Sequence, residues 1–174
     1  MKFYLINPDY MLYGDPPLGL AALAAYIMKY CSPLDVKILD QMKQKDILEK
    51  IRKDTPELVC LAASSGNFFS VKQFANEIKE MAPTTKILFG GVHITTCPES
   101  FENGPFDIAV RGEGEIATRK VVSSIKKHKG MNKKYLSKIP GLLFKDEKGK
   151  TINTGISESV KNLDELPLPA RHLL

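Results

Sequence analysis

The stretch "ELVCLAASSGNFFSVKQFANEIKEMAPTTKILFGG", residues 57–91, decides the fold. Its opening run, residues 57–64, carries Leu58, Val59, Cys60, Leu61 and Ala62 without a break, so both faces are apolar. That is the pattern of a central strand in a parallel sheet covered on both sides. Residues 69–82 then place Val71, Phe74, Ala75, Ile78 and Met81 at helical spacing, which makes one apolar face. Pro83 closes the helix, because proline cannot continue the backbone ladder. Residues 85–91 return to strand formers and stop at Gly90 and Gly91. Strand, helix and strand in this order form a βαβ unit, whose strands run parallel.

The same alternation continues outward in both directions. Residues 2–7 read as a strand ended by Pro8, and residues 18–30 as a helix with Leu20, Leu23, Ala24 and Ile27 on one face. Residues 35–40 alternate as a second strand, and 43–54 read as a helix with Ile47, Leu48 and Ile51 inward. Beyond the glycine pair, "GGVHITT" reads as a loop, 97–104 as one or two helical turns, 106–112 as a strand and 115–129 as a helix. Strict alternation predicts an α/β fold: a Rossmann-like or flavodoxin-like doubly wound sheet of five parallel strands, order 2-1-3-4-5. After residue 130 the period changes. Residues 139–145 and 151–155, joined by "DEKGK", read as a β-hairpin. The tail 163–174 has two prolines and no period, and reads as an extended linker toward a further domain. The expected division is an α/β domain over 1–130, a hairpin appendage over 131–160 and a linker over 161–174.

Composition narrows the function classes. The chain has 174 residues, 43% hydrophobic and 26% charged, ordinary for a globular protein. No window approaches the roughly 18 apolar residues of a membrane span, and "MKFYLINPDY" has no apolar signal core. The expectation is a cytoplasmic protein. Cys31, Cys60 and Cys97 are far apart, unlike the close spacing of zinc or iron–sulfur ligands, so no metal site is expected. The formal net charge is +5, and residues 119–150 hold eleven Lys/Arg against two acids. Such a segment reads either as a solvated lysine-rich face or as a footprint for nucleic acid.

In open α/β sheets, ligands bind outside the carboxyl ends of the strands. The distinctive loops fall there: "NPDYMLYGDPPLG" after strand 1, "SSGN" after strand 3, "GGVHITT" after strand 4 and "RGEGE" after strand 5. Each glycine-rich loop is explained either by a tight turn or by close approach of a ligand to the backbone; four at one edge favour a ligand site. Catalytic signatures are missing. There is no GxSxG elbow, no GxxxxGK[ST] loop and no GxGxxG after strand 1. No residue stands out as a catalyst. His93 reads as a metal ligand, a base or a hydrogen-bonding loop residue, and Glu115 as a first-turn acid favoured by the helix dipole.

Five segments occur in a familiar order: "PPLGLAALAAYI" (16–27), "GGVHITTCPES" (90–100), "DIAVRGEGE" (107–115), "IPGLLFKDEKG" (139–149) and "LDELPLPAR" (163–171). Together they resemble the N-terminal cobalamin (vitamin B12)-binding domain of radical S-adenosylmethionine proteins, over nearly the whole chain. The resemblance implies cobalamin as cofactor. Its nucleotide tail would run beside strand 4, where Gly90 and Gly91 leave room, and its corrin would lie over the carboxyl edge of the sheet. The contacting set it implies is Ser64, Ser65, Gly90, Gly91, Val92, His93, Gly112, Glu113 and Gly114. A radical domain holding a [4Fe–4S] cluster and S-adenosylmethionine is the implied partner, and methyl transfer or another radical reaction the implied chemistry of the parent. This chain alone is expected to be non-catalytic.

Two departures stand out. Methionine-synthase-like domains carry DxHxxG after strand 1, whereas residues 7–15 here contain no histidine. The serine that receives the benzimidazole nitrogen in such domains falls near Ala62, with Ser64 and Ser65 the nearest hydroxyls. A rival expectation is a domain without cobalamin that docks RNA or an acidic partner through residues 119–150. A phosphoacceptor receiver is set aside, since strand 3 ends in Ser64 and Ser65 and not in an aspartate.

Overall fold

A computed structural model describes residues 1–8 and 16–174. The loop over residues 9–15, central to the missing histidine, lies outside the described residues. The elements run β1 (Lys2–Asn7), α1 (Leu18–Cys31), β2 (Asp35–Asp40), α2 (Ile47–Asp54), β3 (Leu58–Ala62), α3 (Phe68–Met81), β4 (Lys86–Gly90), α4 (Val92–Thr96), β5 (Ile108–Val110), α5 (Gly114–His128), α6 (Lys133–Leu136), β6 (Leu142–Lys145) and β7 (Thr151–Asn153). Short 3-10 turns cover Pro98–Phe101, Leu163–Glu165 and Arg171–Leu173.

The described strands form one sheet, ordered β2-β1-β3-β4-β5-β6-β7. The first five pair in parallel in the order 2-1-3-4-5, as the alternating pattern predicts. The hairpin does more than append itself. β6 pairs antiparallel with β5, and β7 with β6, so it covers the β5 edge that the parallel sheet would leave bare.

Period-2 alternation divides the core into two layers. Phe3, Leu5, Leu58, Cys60, Leu88, Ile108 and Val110 face α1 and α5. Tyr4, Ile6, Val59, Leu61, Ile87 and Phe89 face the opposite layer, which holds Ile47 and Ile51 of α2 and Val71, Phe74 and Ile78 of α3. Apolar burial on both sides of β3 is the physical content of the unbroken run at 58–62.

Two boundaries differ from the sequence reading. Helix α2 starts at Ile47, not at residue 43, because buried Asp40 organises a turn. Its carbonyl accepts from Lys43 N and Gln44 N at 2.9 Å each, and its Oδ1 accepts from Met42 N at 3.2 Å. The segment "VHITT" forms helix α4, not a loop. Gly91, at φ +96°, reverses the chain out of β4, His93 N donates to Ala63 O at 3.1 Å, and Ile94 is fully buried. The tail docks on the domain: Ala170 is buried, its N–H donates to Ala21 O of α1 at 3.0 Å, and Leu166, Leu173 and Leu174 pack on the core.

Candidate functional site

Strands β1, β3, β4 and β5 end side by side at Asn7, Ala62, Gly90 and Val110. Above these ends, on the α1 and α5 side, lies a cavity of about 520 Å³. Its floor is the side chains that alternation points to that face. Cys60 and Leu88 are paired in register, as are Ala62 and Gly90 one step nearer the edge; all four line the cavity. Its roof is the first turns of two helices, with Gly19, Leu20 and Leu23 from α1 and Gly114, Glu115 and Thr118 from α5. Large side chains at the inner end and small ones at the mouth make a slot that widens toward solvent.

The glycines of this edge divide by cause. A Cβ placed on Gly90 would meet nothing within 4 Å, and the same holds for Gly19; both are bare where the cavity is. A Cβ on Gly91 would stand 2.7 Å from Ala63 O, and the residue has positive φ. Packing and backbone conformation explain that glycine without a ligand. Gly112 is similar. Its φ is +87° and its Cβ position is 2.9 Å from Ile156 Cγ2, because residues 156–157 lie against the β5–α5 loop. Ser157 N donates to Arg111 O at 2.9 Å, and Ser157 Oγ donates to Glu113 O.

Thr95 ties the two loops of the cavity mouth together. Its Oγ1 donates to Gly91 O at 3.0 Å and accepts from Gly112 N at 3.0 Å. Of the residues expected to contact a cofactor, the cavity brings together Gly90, Gly91, Val92, Gly112, Glu113 and Gly114. Ser64, Ser65 and His93 do not line it. Ser64 is exposed and turns back on the chain, with its N–H donating to Asn67 Oδ1 at 2.8 Å. His93 is 8% exposed and stacks on Phe68 with ring centroids 4.0 Å apart. Its Nδ1 is 3.0 Å from Ser65 Oγ and its Nε2 is 3.0 Å from Ser100 Oγ. Both ring nitrogens are thus engaged, and the ring packs toward α3, under the face opposite the cavity.

Sequence reading missed Thr118. The residue is 1% exposed, lines the cavity, and its Oγ1 has no hydrogen-bond partner among the described residues. The available signal was its place on the apolar stripe of α5, with Val121, Val122 and Ile125 three, four and seven residues on. A hydroxyl on such a stripe needs a partner. Cys60, also at the inner end, is held as a neutral thiol: burial pushes its pKa up to about 12. Among the described residues no group of His, Cys, Asp and Glu is arranged to hold a metal ion, and no helix is long and apolar enough to cross a membrane.

The basic segment is spread over several elements. Lys120 pairs with Glu158 at 2.9 Å and Lys133 with Glu147 at 3.4 Å. Lys126 Nζ donates to Cys31 O at 2.9 Å, and Lys145 Nζ to Glu102 O at 3.4 Å. Lys126, Lys127 and His128 occupy the last turn of α5, where cations offset the helix dipole.

Comparison with known proteins agrees with this geometry. Residues 13–122 match the family described as the B12 binding domain. The chain is 33% identical over 165 residues to the protein named uncharacterized methyltransferase PH0819 of Pyrococcus horikoshii, covering 91% of this chain and 34% of that protein. It is 24% identical over 179 residues to the anaerobic magnesium-protoporphyrin IX monomethyl ester cyclase of Synechocystis, covering 94% of this chain and 34% of the cyclase. The chain therefore spans about a third of the length of these relatives. Among solved structures it shares its fold with TsrM, a radical S-adenosylmethionine methyltransferase from Kitasatospora setae, at a TM-score of 0.72 and 19% identity, over 88% of this chain and 30% of TsrM. With its parallel order 2-1-3-4-5, its cavity at the strand ends and this match over most of its length, the chain belongs to the B12-binding domain family.

Proposed function

We propose that this chain binds cobalamin in the cavity between β3, β4, α1 and α5, and serves as the cofactor domain of a larger radical S-adenosylmethionine enzyme. The observation that carries the reading is the slot at Gly90. The floor there is reduced to Ala62 beside a glycine, and the space a Cβ would take is open. The residues present suit the group. Leu20, Leu23, Leu88 and Val110 give apolar walls for a flat aromatic end, and Thr118 adds one buried hydroxyl without a partner among the described residues. Val92, Gly112 and Glu113 form the rim over which a corrin would rest. When bound, cobalamin supplies alkyl-transfer chemistry at its cobalt; the protein's part is to hold and orient it.

The residues of this chain then have defined tasks. Gly90 and Ala62 keep the slot open, and the α1 and α5 turns exclude water from it. Thr95 holds the β4 and β5 loops in one arrangement through its two hydrogen bonds. His93 braces α4 from below through Ser65 and Ser100, so in this reading it supports the site without touching cobalt. Ser64 and Ser65 act at the same remove. The partner domain that would carry the [4Fe–4S] cluster and S-adenosylmethionine is part of the proposal, supported by the relatives' greater length and by a relative and a fold neighbour described as methyltransferases. Titration with hydroxocobalamin, read in its visible spectrum, tests the binding. The expected result is a saturable change at one equivalent per chain; no change up to millimolar ligand would contradict it.

A further inference from the structure

A polar atom sealed in an apolar wall is unfavourable unless something meets it. Thr118 Oγ1 is such an atom. It is buried, it has no partner among the described residues, and it belongs to a residue that lines the cavity. Of the other polar side chains of the wall, Thr95 Oγ1 is committed to Gly91 O and Gly112 N and Asn7 Nδ2 to Asp40 Oδ1 at 3.2 Å, while the carboxylates Glu113 and Glu115 are exposed and half-buried. Leu23, Cys60, Leu88 and Val110 line the same cavity as Thr118. A largely apolar slot with a buried, unmet hydroxyl in its wall is complementary to a planar aromatic ring with a single acceptor nitrogen.

We infer that Thr118 is the polar anchor of the cofactor cavity: its hydroxyl donates a hydrogen bond to a ring nitrogen of the ligand's aromatic end. This rests on the cobalamin reading, under which the ring is the benzimidazole of the nucleotide tail. The hydroxyl is supplied from helix α5, across the slot from β3, where Ala62 carries none. The same position makes Thr118 a specificity residue. It discriminates a cobalamin with its nucleotide tail from a corrin that lacks one, because only the former presents a ring to the inner end.

Four proteins and two ligands test this. The wild-type chain, Thr118→Val, Thr118→Ser and Ser124→Ala are titrated with hydroxocobalamin and with dicyanocobinamide, which has no nucleotide tail. Thr118→Val keeps the side-chain shape and removes the donor, so its affinity for hydroxocobalamin is expected to fall about tenfold, equivalent to ~1.4 kcal/mol. Its affinity for dicyanocobinamide stays at the wild-type value, and Thr118→Ser retains most of the cobalamin affinity. Ser124 carries another buried hydroxyl of α5 without a partner among the described residues, but it does not line the cavity, so Ser124→Ala leaves both affinities unchanged. Thermal melts of the ligand-free proteins give a second readout. Removing an unmet hydroxyl leaves the melting temperature of Thr118→Val equal to or above that of wild type. Equal cobalamin binding by Thr118→Val and wild type overturns the inference, as does an equal loss for both ligands or a lowered melting temperature. Failure of the wild-type chain to bind hydroxocobalamin overturns the cobalamin reading itself, and this inference with it.

Discussion

Gly90 and Gly91 are neighbours in the chain and answer to different physics. At Gly91 the backbone needs the left-handed region and the space is filled by Ala63, so Gly91→Ala is expected to destabilise the fold by roughly 1–3 kcal/mol. Urea denaturation measures this, and a neutral substitution would remove the steric explanation. At Gly90 the space is empty, so Gly90→Val should fold normally and obstruct the cavity. Cysteines give a further residue-scale check. Cys60 is 3% exposed and burial raises its thiol pKa to about 12, so the nucleophilic thiolate is scarce. Iodoacetamide at neutral pH is expected to label Cys97, which is partly exposed, and to spare Cys60 until the protein unfolds; rapid labelling of Cys60 in the native state would contradict its placement at the inner wall.

At the scale of elements, three tertiary contacts hold the fold where the sequence pattern is least informative. The first joins β1, β2 and α2 at the edge opposite the cavity. Tyr4 OH donates to Asp54 Oδ2 at 2.6 Å, and Lys37 Nζ reaches Tyr4 OH at 2.9 Å and Asp54 at 3.3 Å. The Tyr4 hydroxyl, then Lys37, hold the Asp54 carboxyl below its ordinary value of 3.8. The folded chain thus takes up this proton less readily than the unfolded chain. The stability Asp54 contributes is complete above the ordinary carboxylate value and is lost as pH falls through the lower folded one. Wild type should therefore exceed Asp54→Asn in stability at neutral pH, and the gap should close on acidification; a gap independent of pH would refute the assignment. The second contact is helix α4. Its five residues are too few to show a helical period, and Gly91 and long-range bonds to Ala63 set its geometry, which is why "VHITT" reads as a loop in sequence. The third is the tail. Prolines hide any period in residues 163–174, yet Ala170 docks on α1. Ala170→Arg should cost about 1–3 kcal/mol, and a fully stable variant would show that the docking contributes nothing.

For the molecule as a whole, the sheet order was legible because each βαβ unit writes its own period and crossovers have one hand. The unbroken apolar run of β3 and the glycine pair at the end of β4 pointed to the sheet edge where the cavity lies. The inner wall was not legible. Leu23 and Thr118 lie far apart in the chain and line one cavity only because α1 and α5 pack on one face, and the burial of His93 against Phe68 is set by tertiary packing that its local sequence does not display. The hairpin, readable as two strands, gave no local hint that it would close the β5 edge. What unites these levels is a cavity kept open by small residues at the carboxyl ends of the strands, and the central claim is that cobalamin enters it. The most direct test is the ratio of hydroxocobalamin dissociation constants for Gly90→Val and the wild-type chain, measured by visible absorbance. The account predicts saturable binding by wild type and a loss of tenfold or more in the variant, equivalent to at least ~1.4 kcal/mol. Equal binding by the two proteins, or none by wild type, would contradict it.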